Sequence, residues 1–188
     1  MVKIEEQIVS VNWLYENMSA KNLIILDASM TKVGTQKADK IDRKSISNSL
    51  FFDLKNIFLN KEGEFPNTVP TQSAFENEAQ KLGINNDSCI IIYDDLGTYS
   101  SPRAWWLFKL FDFENVAVLN GGLPAWKKEG LPIEIIKTKK IIKGNFKAVL
   151  QDDKICGTQE VLLASNNEKH IFDARSKGRF YATTPEPR

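Results

Sequence analysis

The sequence predicts an α/β fold: a three-layer domain with a central parallel sheet, followed by an incomplete second copy. Three observations predict it. "SCIIIYDD", 88–95, is an almost unbroken apolar run that ends in two carboxylates. A strand apolar on both faces belongs in the middle of a parallel sheet with helices on either side. Strand-like and helix-like segments alternate before and after it, the order of α/β layers. The opening grammar then returns: Asp27-Ala28-Ser29 and Asp173-Ala174-Arg175 each close a short apolar segment that follows a helix, a repeat on the scale of a domain.

Each element has a local reason. In "SVNWLYENM", Trp13, Leu14 and Met18 recur at near-helical spacing, with Ser10 or Asn12 as the cap. "LIILDAS", 23–29, reads as a buried strand, and "SLFFDL", 49–54, as another. Residues 31–45 are polar and lysine-rich, a loop, and "NKEGEFPNTVPT" is broken by two prolines and a glycine. "TQSAFENEAQKLGI" is a helix capped by Thr71 or Ser73, with Phe75, Ala79 and Leu82 on one face and Gly83 as its stop. "SPRAWWLFKLF" starts a helix at Pro102, whose missing N–H is not needed in a first turn. "NVAVLNGG" is a further strand and "LPAWKKEG" a short helix closed by Gly130.

These elements place a first domain at 1–136. Residues 137–152 are basic and lack apolar periodicity, which reads as a linker. From 153 to 188 the chain restarts with a helix carrying Val161, Leu162 and Leu163, then a short strand ending in Asp-Ala. One helix and one strand cannot bury a core alone, so this stretch reads as the truncated start of a second domain.

Composition excludes several classes. A net charge of +1 with mixed signs argues for neither nucleic acid nor a charged membrane surface as partner. No run approaches the ~18 apolar residues of a membrane span, and "MVKIEEQIVSVNWLYENM" lacks a signal-peptide pattern. Two cysteines, Cys89 and Cys156, make no disulfide framework, so a cytoplasmic location is expected. The single histidine, His170, leaves no room for most histidine-based metal sites.

The candidate site is the strand–loop–helix at 89–111. Asp94 and Asp95 could do acid–base work, but the favoured role is to satisfy N–H groups of the loop or helix. Cys89 enters a buried strand and reads as a small apolar residue; Cys156 stands at a helix start, which can make a thiol reactive. Ser100 and Ser101 lack a Gly-x-Ser-x-Gly elbow and read as caps ahead of Pro102. Gly121-Gly122 is not a phosphate loop. Trp105, Trp106 and Trp126 read as packing residues.

The motifs "LIILDAS", "SLFFDL", "IIIYDDLGTYSSPRAWW", "VAVLNGGLPAWKKEGLPIE" and "DARSKGRFYATTPEPR" together resemble, in order and over almost the whole chain, the tandem rhodanese family of thiosulfate and 3-mercaptopyruvate sulfurtransferases. The resemblance implies two similar α/β domains, an inert N-terminal one and a C-terminal one whose loop cysteine carries sulfur as a persulfide. It implies no cofactor, a small anionic sulfur donor, and a thiol, cyanide or thioredoxin-like acceptor. Asp94 and Asp95 then occupy the cysteine-equivalent loop of the inert domain, and no catalytic residue lies in this chain, which alone is expected to be inactive. Arg179 and Arg188 match the family's substrate-binding arginines, whose planar forks pair with a carboxylate or thiosulfonate. Tyr99 and Arg103 are possible cleft contacts, and Arg175 belongs to a local Asp-Ala-Arg turn. Two departures stand out. "SISNS", 45–49, replaces the usual His-Ile-Pro-Gly-Ala, and Pro66-Asn67-Thr68-Val69-Pro70 replaces Pro-His-Met-Leu-Pro. The alternative function is a non-catalytic rhodanese-like binding or regulatory module, or the product of a truncated gene.

Overall fold

The structure is a computed structural model that describes residues 1–31, 44–135, 140–167 and 169–185. It separates into two units, one ending at Leu150 and one running from Gln151.

The centre of the first unit is β5 (Cys89–Tyr93), buried at every residue. It pairs in parallel with β2 (Leu23–Asp27) on one side and β6 (Val116–Leu119) on the other. Outside these lie β4 (Leu50–Phe51) and β1 (Ile8–Val9), giving the order β1-β6-β5-β2-β4. All four pairings are parallel. The period-2 alternation of a strand divides β5 between two cores. Ile90 and Ile92 join Phe75 and Ala79 of α2 (Gln72–Lys81) and Leu107 and Phe108 of α3 (Ser101–Leu110). Ile91 and Tyr93 join Leu14 of α1 (Val11–Asn17) and Trp126 of α4 (Gly122–Lys128). This is the three-layer α/β arrangement that the sequence predicts.

At α1 and α2 the caps are hydroxyls that the sequence offered. Ser10 accepts from the Trp13 amide at 3.1 Å, and Thr71 from that of Ala74 at 3.3 Å. A small antiparallel pair, β3 (Lys44–Ile46) with β7 (Ile133–Ile135), was not legible as strands. After β3, Asn48 takes φ +67°, at the position where the family pattern has glycine. Asparagine is one of the few side chains that enter this region readily, so the turn survives the substitution.

Of the described part of the stretch read as a linker, 140–152, residues 140–150 belong to the first unit and pack in it. Phe146 and Ala148 are buried in its core. The Gly144 amide donates to the Gln80 carbonyl at 2.8 Å, that of Phe146 to Ile84 at 3.1 Å, and that of Ala148 to the Glu76 carboxylate at 3.0 Å. The signal was faint because the apolar side chains that hold the strap, Phe146, Ala148 and Leu150, stand at alternate positions beside lysine and asparagine.

In the second unit, α5 (Thr158–Ser165) forms as expected, with the Glu160 carboxylate accepting from the Gly157 amide at 2.7 Å. The strand expected before Asp173 does not form: 171–174 have no regular structure. Strands need ladder partners, and this unit has none among the described residues. A one-turn helix, α6 (Lys177–Phe180), follows.

Candidate functional site

Asp94 follows β5 directly, at the carboxyl end of the central strand, where open α/β sheets place their sites. Its carboxylate is fully buried. Oδ1 accepts from the amides of Leu96 and Gly97, both at 2.9 Å. Oδ2 accepts from the amides of Tyr99, Ser100 and Ser101 at 2.7, 3.0 and 2.9 Å, and from the Ser101 hydroxyl at 2.7 Å. Burial pushes the Asp94 pKa up, but the bonds from the Ser101 hydroxyl and these amides outweigh it and hold the group below its ordinary value. Asp94 is thus an ionised internal anion at the start of α3, where the helix dipole also favours negative charge.

This reassigns the cap of α3. The serines were expected to supply it; instead Ser100 and Ser101 offer their amides to Asp94, and neither hydroxyl caps the helix. The Ser100 hydroxyl is buried and has no hydrogen-bond partner among the described residues.

The neighbouring carboxylate behaves differently. Asp95 is exposed, and its amide donates to the Ser29 hydroxyl at 2.8 Å. Ser29 in turn donates from its hydroxyl and its amide to Asp27 Oδ1. The end of β2 therefore fixes the start of the loop, a role that the Asp-Ala-Ser repeat signalled without revealing. Asp94 and Asp95 do not form a paired acid–base couple, because one is buried among donors and the other faces solvent.

Gly122 explains the glycine pair. It sits at φ +53°, and a Cβ there would lie 2.4 Å from the Asp94 carbonyl oxygen. That carbonyl accepts the Leu123 amide at 2.9 Å, so the start of α4 closes on the loop.

The two proposed cleft residues separate. Tyr99 is exposed. Arg103 is half-buried: its Nη2 donates to the Asn67 carbonyl at 2.9 Å, and its guanidinium lies 4.7 Å from the Trp106 ring centre. Asn67 takes φ +61°, so the loop that lacks the family histidine is clamped to α3 by Arg103. Trp126 is buried with its indole N–H on the Pro132 carbonyl at 2.9 Å, and Trp105 donates to Val116 at 3.2 Å.

The cysteines differ as well. Cys89 is buried in β5, and burial pushes its thiol up to about 11. Cys156 is exposed ahead of α5.

In the second unit, Arg179 is half-buried and lines a cavity of about 600 Å³ with Arg175, Phe180, Thr183 and Thr184. Arg175 is held by Asp173 through its amide at 2.8 Å and through Nη2 at 2.7 Å. The Arg175 side chain, ahead of its amide, holds the Asp173 pKa down. Arg188 lies outside the described residues.

A model of the rhodanese-like domain matches residues 10–129. Thiosulfate/3-mercaptopyruvate sulfurtransferase 1, mitochondrial, of Arabidopsis thaliana is 35% identical over all of this chain and 55% of its own length. The 3-mercaptopyruvate sulfurtransferase of Escherichia coli K12 is 32% identical over 96% of this chain and 65% of its own. The crystal structure of SseA from Escherichia coli, described as a rhodanese fold, superposes with a TM-score of 0.87 at 30% identity, over 97% of this chain and 70% of that one. The chain spans between about half and two thirds of the length of these curated relatives. With a family match over most of its first unit, and a buried aspartate at the head of the central loop, the chain belongs to the rhodanese-like domain family.

Proposed function

We propose that this chain supplies the inert rhodanese-like domain, and the opening of a second, of a sulfurtransferase. The complete enzyme moves sulfane sulfur from thiosulfate or 3-mercaptopyruvate to a thiophilic acceptor through a cysteine persulfide. The observation that carries the reading is Asp94: the loop that would hold a nucleophile holds a carboxylate already saturated with donors. An ionised carboxylate there repels an anionic donor and cannot accept sulfur. Neither cysteine replaces it, since the Cys89 thiol is buried and held protonated and Cys156 lies in no such cradle. In this reading the persulfide-forming cysteine lies outside these 188 residues.

Arg179, with Arg188, binds the donor anion in this reading. The support for Arg179 is its half-buried position in the cavity beside the Thr183 and Thr184 hydroxyls. Arg175 is committed to Asp173 and acts in the turn instead. In the complete enzyme, Arg179→Ala raises KM for the donor about tenfold or more, the loss of a charged hydrogen bond worth about 1.5–3 kcal/mol.

The test is release of sulfite from thiosulfate, or of pyruvate from 3-mercaptopyruvate, by this chain alone. No turnover is expected; turnover abolished by Cys156→Ser would overturn the assignment. The filled cradle also suits a non-catalytic rhodanese-like module. The intact mass of the native protein separates the two, because a sulfurtransferase requires further sequence carrying a loop cysteine.

A further inference from the structure

The donors around Asp94 belong to the loop and not to the carboxylate. Five are backbone amides, of Leu96, Gly97, Tyr99, Ser100 and Ser101, and the sixth is the Ser101 hydroxyl. None is a cationic side chain. Features other than residue 94 also hold this loop: the first turn of α3, Gly97 at φ +111°, the Ser29 bond to the next amide, and the close approach of Gly122. A seventh group stands in the same turn uncommitted, since the Ser100 hydroxyl is buried and lacks a partner among the described residues. The carboxylate is thus a ligand seated in a receptor built from loop donors.

We infer that the 94–101 loop is a complete receptor for a sulfur anion on residue 94, and that the identity of that one side chain keeps the domain from carrying sulfur. The inference rests on the sulfurtransferase reading only for the nature of the cargo. With cysteine at 94, the amides that hold the carboxylate hold a thiolate, and the thiolate can attack the outer sulfur of thiosulfate. A bond forms between Sγ and that sulfur, the S–S bond of thiosulfate breaks, and its electron pair leaves with sulfite. Charge and sulfur balance, and no oxidant is needed.

The experiment uses Asp94→Cys in a Cys156→Ser background, where the buried Cys89 stays silent near neutral pH. The pH dependence of alkylation gives the thiol pKa, and the intact mass after incubation with thiosulfate gives sulfur uptake. The expected results are a pKa of about 7 or below, against about 8.5 for an ordinary cysteine, and a gain of one sulfur per chain that the Cys156→Ser parent does not show. A folded variant whose thiol titrates near the ordinary value, or that takes up no sulfur, overturns the inference. If Asp94→Cys does not fold, Asp94→Ala decides it by refolding yield and Tm in formate against chloride at equal ionic strength. Formate should refill the cradle and raise both, with no such rise in the wild type; no formate effect overturns the inference. The readout concerns this loop alone, so an inactive complete enzyme would sink the sulfurtransferase reading without touching it.

Discussion

At the scale of single residues, Asp94 is a buried carboxylate that accepts six hydrogen bonds. Its folded pKa is depressed, so the unfolded chain binds the proton more tightly. The stabilisation is complete above the ordinary carboxylate value of about 3.9 and is lost as pH falls through the lower folded value. Asp94→Asn places a donor among donors. It should cost about 3 kcal/mol or more at neutral pH, as for a buried charge network broken on one side. Urea midpoints across the acid limb should then fall less steeply for the variant than for the wild type; parallel curves would refute the assignment. The two thiols give a second check. Ellman's reagent should titrate Cys156 in the native protein, and Cys89 only once denaturant exposes β5. Much of this was legible in the sequence, which put a carboxylate pair in the right loop and gave it N–H groups to satisfy. It could not tell Asp94 from Asp95, because adjacent residues in sequence differ here by the full range from core to solvent. Nor could it see Ser29, whose partner amide lies 66 positions away.

At the scale of elements, local patterns with many apolar positions were readable and short pairings were not. β5 has five buried residues in a row and α3 a dense aromatic face, so both stood out. β1 has two residues, and β3 and β7 three, too few for any period to show; β4, also two residues, was read only through the apolar composition of 49–54. The 140–150 strap is the instructive case. Phe146 fits among Phe75, Phe108 and Phe113, with ring centres 5.5–6.5 Å away, though its neighbours in sequence are polar. Phe146→Ala should lower unfolding stability by about 3–5 kcal/mol, readable in a urea titration, while a true linker would show almost no change. Gly122→Ala should also destabilise, since its Cβ would meet the Asp94 carbonyl and its φ is positive. A loss there with normal helicity by circular dichroism would locate the damage at the loop rather than in α4.

At the scale of the whole chain, the two copies of one sequence pattern have opposite fates. Counting from Asp27 and Asp173, Ile25 matches Ile171 and Leu26 matches Phe172. In the first unit these residues are 4% and 0% exposed; in the second they are 54% and 91%. The difference is not in the residues but in their neighbours. Leu26 is flanked by Ile92 of β5 and Leu50 of β4, whereas 171–174 form no ladder. No described residue from 151 to 185 is buried, and a segment without buried apolar area has nothing to set against the ordering cost of about 1–2 kcal/mol per residue. Cooperative unfolding should therefore report the first unit alone. A chain ending at Leu150 should keep the parent's Tm within a few degrees, and amides beyond 150 should exchange at rates close to those of an unfolded peptide. Strong protection at 158–165 or 171–174 in the isolated chain would show that these residues find a partner of their own, and would refute this account of where the stability lies.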